Sequence, residues 1–319
     1  MVNKIKNNVI LIVGGAGNIG SYILDNIIKY KPKEIIIIDN LFNSDKSNIK
    51  HLEDDIVFYP FDISNIDEVE YVFKKHKPDY VFHCASMLIK DSEILPRKSI
   101  DSGIKGTFNI VDMSNKYNVK KILYSSSASV YGEPQFLPVT EEHPLQHKNF
   151  VYGWVKIAAE SIFLSQCNVP WLGFRYYNVY SERSTNGALY SQIVPIFAKK
   201  ILKNEELTVY GDGTQTMDMI HAKDIAEANV LGLFSNVTKE FFNVGTGIET
   251  SVNKLIEYFG EVYNIKTKIK YIKDDSQKVK HRKSSIKKIT KMLNFKPKIK
   301  IIDGLQRFKM RYYYNEYGD

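Results

Sequence analysis

The amino-acid sequence predicts an α/β fold, a doubly wound parallel sheet with a smaller mixed α/β lobe. Two patterns carry this prediction. Short runs rich in Ile and Val recur through the first half of the chain, and helical stretches separate them. The apolar runs mostly lack a polar face of period two, which is typical of strands buried on both faces of a parallel sheet. Strands that alternate with helices in this way indicate strand–helix–strand crossovers.

The predicted elements follow in chain order. Strands are expected at residues 9–13, 35–39, 56–59, 80–83, 122–125 and 172–177. Helices are expected at residues 19–29, 66–75, 97–117 and 150–167. After residue 178 the pattern loosens into helices near 189–204 and 222–235, a turn at 210–213 and a strand at 241–244. We expect the sheet domain to cover residues 1–178, with 218–246 returning to it, and the smaller lobe to take most of 179–319.

The composition is that of a globular protein. Of 319 residues, 44% are hydrophobic and 25% are charged, and a chain of this length can bury a sizeable core. The two cysteines, Cys84 and Cys167, form no CxxC pair, so we expect neither a metal site nor a disulfide framework. Unpaired thiols fit a reducing cytoplasm. No apolar run approaches 18 residues, so we expect no membrane partner.

The net charge of +8 is unevenly distributed. Between residues 266 and 311, seventeen Lys or Arg face three Asp, which gives a local balance of +14 and leaves −6 for the rest of the chain. Such a basic tail could meet nucleic acid, an acidic membrane or a diphosphate. Charge runs are more often solvated surface. We therefore expect a lysine-rich surface, and we keep nucleic-acid binding as an alternative.

A glycine motif follows the first predicted strand. Gly14, Gly17 and Gly20 are spaced GxxGxxG, and a helical pattern begins within the motif. Small residues let the backbone turn sharply and approach a pyrophosphate, while the start of the helix, at Asn18 and Ile19, offers free N–H groups to it. Because the motif lies between a strand and a helix, the sequence predicts a Rossmann-type dinucleotide site.

An acidic residue marks the end of the second predicted strand. Asp39 lies about 20 positions past the glycines, where a carboxylate binds the adenosine ribose hydroxyls. A carboxylate there repels a 2′-phosphate, so the sequence favours NAD over NADP as the cofactor. Asp62 follows the third strand and could accept a hydrogen bond from the adenine amino group. Either Asp could instead be an ordinary turn residue.

Tyr152 and Lys156 form a candidate catalytic pair. Their i, i+4 spacing places both side chains on one face of a helix. A tyrosine of pKa about 10 is a poor base at neutral pH. We expect the Lys156 ammonium to lower the pKa of Tyr152, so that Tyr152 can exchange a proton with a substrate hydroxyl. A serine-rich segment at 125–132 follows the strand at 122–125, and a serine of this segment could hydrogen-bond the reacting oxygen.

With these motifs, the sequence resembles the extended short-chain dehydrogenases, a family that includes the UDP-galactose 4-epimerases and dTDP-glucose dehydratases. The resemblance spans nearly the whole chain. It is carried by the segments GGAGNIGS, IIIIDNL, HCAS, SSSASVYG, YGWVK, RYYNVY, YGDGTQTMD and LNFKP.

The resemblance implies a role for each matching residue. Gly14, Gly17 and Gly20 would bind the pyrophosphate, and Ser127, Tyr152 and Lys156 would be catalytic. The remaining residues implied for the cofactor are Asn18, Ile19, Asp39, Asn40, Asp62, Ile63, Ala85 and Tyr176, together with Tyr152 and Lys156. Those implied for the substrate are Asn178, Val194 and Tyr210, together with Ser127. The family also implies a homodimer built through the helices at 97–117 and 150–167.

The sequence departs from the family pattern at three places. Dehydratases carry an Asp-Glu pair where this chain has Ala128 and Ser129, which disfavours dehydration. The family's QTRDF segment has Met217 in place of an arginine that contacts a substrate phosphate. Gly103 stands where the family usually has Asn. The last two departures argue against an ordinary UDP-hexose substrate, and Arg183, Arg282 or a lysine of the basic tail could supply the missing charge.

These observations predict an enzyme that oxidises C4 of a GDP- or UDP-linked hexose or heptose with bound NAD. Return of the hydride to the other face gives a 4-epimerase, and release of the keto sugar gives a net C4 dehydrogenase; both stay open. The composition, rich in Lys, Ile and Asn, suggests an AT-rich bacterial genome, and for such a source the resemblance implies a role in surface-polysaccharide synthesis. A 4,6-dehydratase, a non-catalytic NAD sensor, a nucleic-acid binder and a scaffold are the alternatives.

Overall fold

The computed structural model describes residues 5–146, 150–184, 193–273 and 280–317. Its strands, in chain order, are β1 (Val9–Val13), β2 (Glu34–Ile38), β3 (Val57–Tyr59), β4 (Tyr80–His83), β5 (Lys121–Ser127), β6 (Trp171–Tyr176), β7 (Asn178–Tyr180), β8 (Leu207–Tyr210), β9 (Thr216–Met217), β10 (Met219–His221), β11 (Glu240–Val244), β12 (Thr250–Ser251) and β13 (Ile269–Ile272). Seven of them form one parallel sheet in the order β11-β6-β5-β4-β1-β2-β3. The predicted doubly wound parallel sheet is confirmed.

Helices connect and cover these strands. In chain order they are α1 (Asn18–Ile27), α2 (Ile66–His76), α3 (Ile89–Ile94), α4 (Pro96–Ile100), α5 (Gly106–Lys116), α6 (Val151–Gln166), α7 (Ile193–Leu202), α8 (Ala222–Phe234), α9 (Val252–Tyr263), α10 (Lys287–Leu293) and α11 (Ile301–Tyr317). None of the helices in the described ranges combines the length and apolarity needed to cross a membrane.

Two hydrophobic cores cover the two faces of the sheet, as the strand pattern requires. Along β1, Ile10 and Ile12 enter one core with α1 and α8, whereas Leu11 and Val13 enter the other with α2, α5 and α6. Side chains alternate between the faces of a strand, so a strand with both faces covered must be apolar throughout. This explains why β1 reads as an unbroken apolar run.

The helical stretch predicted at 97–117 is observed, but it contains a π-helical turn. A π-helical turn at Asp101–Lys105 separates α4 from α5. Gly103 lies in this turn, where an added Cβ would collide with Val155 of α6. An added Cβ at Gly106 would lie 2.6 Å from Ile63. The two glycines let this segment pack closely on its neighbours, and π-turns inside helices are frequent near functional sites.

The smaller lobe is built on short strand pairs. Strand β7 pairs with β10, β8 with β13 and β9 with β12, and α7, α9 and α11 cover a third hydrophobic core. The chain leaves this lobe through β10 and α8, and β11 then joins the main sheet beside β6. Helix α10 and Phe295 also pack on the core of the main sheet. The two lobes therefore exchange chain segments several times.

Candidate functional site

Two adjoining cavities open at the carboxyl ends of β1, β4, β5 and β6. They measure about 280 Å³ and about 320 Å³ and share lining residues that include Gly14, Gly17 and Ser86. We call the first the adenosine cavity and the second the reaction cavity. Ligands of open parallel sheets bind at this edge, in the crevice outside the strand ends.

The glycine motif forms a cradle between the two cavities. Gly14 has a positive φ of 76°, and an added Cβ would lie 2.6 Å from the backbone nitrogen of Ala85. An added Cβ at Gly20 would collide with the carbonyl oxygen of Gly14. Helix α1 begins at Asn18. Gly17, the N-cap residue before it, has no side chain to cap the N–H groups of the first turn. The cradle therefore suits a ligand of phosphate character, which can accept from these N–H groups.

Asp39 organises the adenosine cavity. Its Oδ2 accepts a hydrogen bond from the backbone N–H of Ala16 at 3.0 Å. Its Oδ1 accepts from the N–H of Leu41 at 2.9 Å and from the Ser44 hydroxyl at 2.6 Å. The carboxylate is nearly buried, and it still lines the cavity. It therefore links the glycine loop to the end of β2 as well as offering negative charge to a ligand.

The other predicted adenosine residues lie on the same cavity. Asn40 donates a hydrogen bond from Nδ2 to Asp62 Oδ2 at 2.9 Å. Burial raises the pKa of the Asp62 carboxyl, but hydrogen bonds from Ser64 and Asn40 outweigh it and leave that pKa below its usual value. Asp62 is thus a carboxylate at neutral pH. Ile63 and Ala85 also line this cavity.

Lys156 lies at the bottom of the reaction cavity. The side chain is 4% exposed, and Nζ donates a hydrogen bond to the Ser125 carbonyl oxygen at 2.8 Å. The ammonium lies 5.8 Å from the centre of the Tyr152 ring. Burial lowers the pKa of Lys156 to about 8, although the nearby Cys84 and Glu160 act in the opposite direction and raise it. Lys156 is therefore positively charged at neutral pH and is poised to titrate just above it.

The Tyr152 hydroxyl faces hydroxyl groups from two strand ends. Burial raises the pKa of Tyr152 above its usual value of 10, and hydrogen bonding to Ser127 and Ser86 offsets only part of that rise. We expected Lys156 to lower the pKa of Tyr152. That direction is wrong for the protein alone, in which the pKa of Tyr152 is raised. Burial dominates because protein surrounds the hydroxyl, although the ring remains partly open to the cavity.

Ser127 ends β5 and caps the turn that follows. Its Oγ accepts a hydrogen bond from the N–H of Ser129 and donates one to the Ser129 hydroxyl, both at 3.1 Å. Ser127, Ala128 and Ser129 all line the reaction cavity. The two positions after Ser127 therefore present a methyl and a hydroxyl group to the cavity, and neither group is an acid.

Tyr176 and Asn178 close the reaction cavity from the adjoining strands. The Tyr176 hydroxyl accepts a hydrogen bond from Asn229 Nδ2 at 2.8 Å and lies 3.2 Å from the Ser125 hydroxyl. Asn178 donates its backbone N–H to the Asp218 carbonyl oxygen at 3.0 Å, while its buried side-chain Oδ1 has no hydrogen-bond partner among the described residues. That oxygen can accept from a bound ligand.

The structure does not bring every predicted substrate residue to a cavity. Val194 is fully buried in the core of the smaller lobe, because it lies on the inward face of α7. Tyr210 is 50% exposed and lines neither cavity. Met217 does line the reaction cavity, and so does Arg282. Gly103 lies outside both cavities, so its difference from the family pattern reflects close packing on α6.

A buried ion pair that was not predicted from the sequence supports α6, the helix that carries Tyr152 and Lys156. Glu160 on α6 accepts two hydrogen bonds from Arg175 on β6, at 3.0 Å and 2.8 Å. Ser126 donates to the same carboxylate at 2.5 Å, and Arg175 also donates to the Tyr131 hydroxyl at 2.9 Å. A charged residue four positions after Lys156, on an otherwise apolar helix face, was the signal that could have revealed this pair.

Comparisons with known proteins agree with this geometry. The sequence profile of the NAD dependent epimerase/dehydratase family matches residues 10–245. A putative UDP-glucose 4-epimerase of Methanocaldococcus jannaschii is 34% identical over 302 residues, which cover 93% of this chain and 96% of that protein.

Solved structures are similar over nearly the whole chain. The UDP-glucose 4-epimerase of Thermotoga maritima, solved with UDP-glucose, has a TM-score of 0.90 at 29% identity and covers 97% of this chain and 99% of its own. The UDP-glucose 4-epimerase of Thermus thermophilus, solved with NAD, has a TM-score of 0.85 at 26% identity and covers 95% of this chain and 98% of its own.

Proposed function

The chain belongs to the NAD-dependent epimerase/dehydratase family and is an NAD-dependent enzyme of nucleotide-sugars, and from that premise we propose that it is a C4 epimerase of a UDP-linked sugar. One observation carries the proposal. Ser127, Tyr152 and Lys156 meet at the floor of the reaction cavity, which continues into the glycine cradle on one side and toward Asn178 and Arg282 on the other.

Proton transfer is the task of Tyr152. Because burial holds the pKa of Tyr152 high, the phenol gains and loses its proton only when positive charge lies close to it. Lys156 supplies one such charge from the next turn of α6. Bound NAD would add a second positive charge beside the phenol and would take up the hydride of C4. Tyr152 then takes the proton of the C4 hydroxyl, and Ser127 hydrogen-bonds the same oxygen.

The fate of the 4-keto sugar separates epimerase from dehydratase. Dehydration needs an acid to expel a hydroxyl as water, and the two residues after Ser127 are Ala128 and Ser129. The Ser129 hydroxyl is hydrogen-bonded to Ser127 and cannot replace a carboxylic acid. A keto sugar held by its diphosphate can instead rotate and accept hydride on its other face, while Tyr152 returns the proton to the C4 oxygen.

The test is a panel of UDP- and GDP-linked hexoses and heptoses with the purified protein. Epimerisation predicts C4 epimers by NMR from a UDP-sugar, with the cofactor remaining in its oxidised form at the end of turnover. A net C4 dehydrogenase would instead accumulate reduced cofactor, seen at its absorbance band, together with a keto sugar. Turnover of GDP-sugars alone would contradict the UDP assignment.

We also infer a homodimer, since large apolar side chains remain exposed on α5 and α6. Phe108 is 46%, Trp154 38% and Leu164 66% exposed. An apolar surface on two neighbouring helices fits a second copy that buries the same surface around a two-fold axis. Light scattering tests this: the wild type is expected at twice the chain mass and Trp154→Glu at the mass of one chain. A monomeric wild type would overturn it.

The setting of the reaction is a proposal too. We place it in the cytoplasm, in the supply of sugars for surface polysaccharide. The basic tail does not favour nucleic acid, because several of its lysines pair with acids elsewhere in the chain. Lys288 contacts Glu240 at 2.7 Å, and Lys298 contacts Glu227 at 2.5 Å. Weak, salt-insensitive binding to DNA and RNA is the expected result, since a surface that tracks phosphates loses affinity steeply with salt.

A further inference from the structure

A short segment of the smaller lobe, residues 181–184 after β7, is fastened to the glycine cradle. Ser181 donates its hydroxyl to Asn18 Oδ1, and Asn18 Nδ2 donates to the Ser184 hydroxyl at 3.1 Å. Asn18 is the first residue of α1 and lies within the glycine motif. Its side-chain amide therefore joins the cradle to the smaller lobe through both of its polar atoms. We call Asn18, Ser181 and Ser184 the clasp.

The turn at 181–184 holds the two serines of the clasp in place. The Ser184 N–H donates to the Ser181 carbonyl oxygen at 3.0 Å, and the Arg183 N–H donates to the Ser181 hydroxyl at 3.0 Å. Ser181 is fully buried. A turn closed by its own hydrogen bonds has little conformational freedom left to lose, so it can bind Asn18 at a low entropic cost.

Two further contacts attach the same turn to the same part of the main lobe. Asn48 Nδ2 donates to the Ala16 carbonyl oxygen at 3.0 Å and lies 3.4 Å from the Arg183 carbonyl oxygen. The Arg183 guanidinium pairs with Asp25 of α1 at 2.7 Å and lies 4.1 Å from the centre of the Tyr22 ring. Because these contacts do not involve the clasp, removal of the clasp should loosen the turn without unfolding it.

The clasp lies beside the place where the two cavities meet. Gly14 and Gly17 line both cavities, and Asn18 and Ser184 line the reaction cavity next to them. A dinucleotide that fills both cavities has its pyrophosphate at the glycine loop and the start of α1. The clasp is therefore next to the part of the cofactor that connects its two halves.

We propose that the clasp retains NAD by holding the smaller lobe against the cradle, with Asn18 as the positioning residue. The clasp opens before the cofactor leaves, so its two hydrogen bonds slow the release of NAD. Retention serves a reaction that returns hydride to the same sugar, because the reduced cofactor must still be in place when the keto sugar takes hydride back. This use of the clasp rests on the proposed epimerase activity, whereas the clasp itself does not.

Exchange of the bound cofactor measures this retention directly. Protein loaded with NAD is mixed with an excess of isotopically labelled NAD, and the bound cofactor is followed over time by rapid desalting and mass spectrometry. Ser184→Ala removes one bond of the clasp and should speed exchange about twofold to tenfold, the usual effect of one neutral hydrogen bond. Asn18→Ala removes both bonds and should speed exchange about fivefold to a hundredfold.

Two comparisons separate the clasp from other effects. Asn26→Ala is the matched control, because Asn26 lies on the same helix and its Oδ1 accepts a hydrogen bond from Lys29 Nζ at 3.0 Å. This control should exchange NAD like the wild type. In the double variant of Asn18→Ala and Ser184→Ala, exchange should be no faster than in Asn18→Ala alone, because Ser184 acts on the cofactor through Asn18.

Two results would overturn the clasp and leave the proposed activity intact. The first is exchange at the wild-type rate in Asn18→Ala or in Ser184→Ala. The second is a double variant in which the two effects multiply, since each residue would then act on the cofactor separately. If Asn18→Ala cannot be loaded with NAD, the exchange rate of Ser184→Ala decides alone. Absence of C4 epimers from every UDP-sugar would contradict the proposed activity and leave the exchange result unaffected.

Discussion

The adenosine cavity and the reaction cavity lie side by side, yet different parts of the chain line them. The adenosine cavity is lined by residues between 14 and 102, among them the carboxylates Asp39 and Asp62. The reaction cavity is lined by residues between 14 and 282, among them Tyr152 and Asn178, and contains no carboxylate among its described lining residues. One cavity is thus built from the first third of the chain, and the other brings residues of both lobes together.

This difference explains what each cavity can do. Backbone N–H groups and two carboxylates select a ligand by shape and hydrogen bonding, which suits one invariant cofactor. The reaction cavity is shared, because the glycine loop implied for the cofactor lines it together with Ser127 and Asn178, which are implied for the substrate. We expect Asp39 variants to affect cofactor binding, and Tyr152 variants to affect turnover.

The largest effect is expected for Tyr152→Phe. The variant keeps the ring but removes the proton-transfer group, so the turnover number should fall about 10²- to 10⁴-fold. NAD content and UDP affinity should remain near wild-type values. The matched control is Tyr271→Phe, an exposed tyrosine whose hydroxyl donates to Asn253 at 3.1 Å. Turnover retained in Tyr152→Phe would contradict the proposed role.

Glu160→Gln should break the buried ion pair that supports α6 beside the reaction cavity. The change leaves Arg175 buried and without its opposite charge, which costs about 3–5 kcal/mol of unfolding free energy. Urea unfolding measures this loss. Glu257→Gln is the comparison, because Glu257 forms an exposed pair with Lys254 at 2.6 Å and should change stability by less than about 1 kcal/mol. Equal stability losses in the two variants would show that the buried pair is not special.

Asp39→Asn should affect the adenosine cavity alone. The carboxylate accepts hydrogen bonds from Ala16, Leu41 and Ser44, and a carboxylate also repels a 2′-phosphate. NAD affinity should fall by about 1.5–3 kcal/mol, and the preference for NAD over NADP should narrow. Calorimetry with both cofactors measures these changes. Asp45→Asn, at an exposed turn, should bind NAD normally, and an equal loss in that control would contradict the assignment.

Glu182→Gln should change how stability depends on pH. Burial raises the pKa of Glu182, but hydrogen bonds with His221 and Tyr22 outweigh it and lower that pKa from 4.5 to about 2. A carboxyl with a lowered pKa stabilises the fold above its unfolded pKa, and that contribution is lost as pH falls from 4.5 toward 2.

The contribution of Glu182 is on the order of 2 kcal/mol. Unfolding measurements should therefore show wild type and Glu182→Gln differing in stability at neutral pH and converging as the pH falls from 4.5 toward about 2, where the carboxyl of the folded protein becomes protonated. A difference in stability that stayed constant across this pH range would contradict the lowered pKa.

The sequence predicts the main sheet well because each strand buries an apolar run on both faces. The strand at 9–13 is observed as β1, and the strand at 122–125 is extended to β5 (Lys121–Ser127). The π-helical turn inside the helical stretch at 97–117 was not predicted, because the close approach of Gly103 to Val155 is a tertiary contact. Periodicity along one segment carries no information about such a contact.

The same limit applies to the site. The residues implied for the adenosine cavity follow the ends of predicted strands, and all of them line the cavities. The assignment of Val194 to the substrate was wrong, because the face of α7 that it occupies depends on packing within the smaller lobe. The pKa direction of Tyr152 also depends on how much protein surrounds its hydroxyl, and the spacing to Lys156 does not show this.

In the proposed reaction, hydride leaves C4 and returns to the same carbon, while Tyr152 exchanges only the hydroxyl proton. The most direct test is turnover of a UDP-sugar deuterated at C4, with the C4 epimer examined by NMR in ordinary water. The epimer is expected to retain its deuterium at C4. An epimer in which solvent hydrogen has replaced the deuterium at C4 would contradict it.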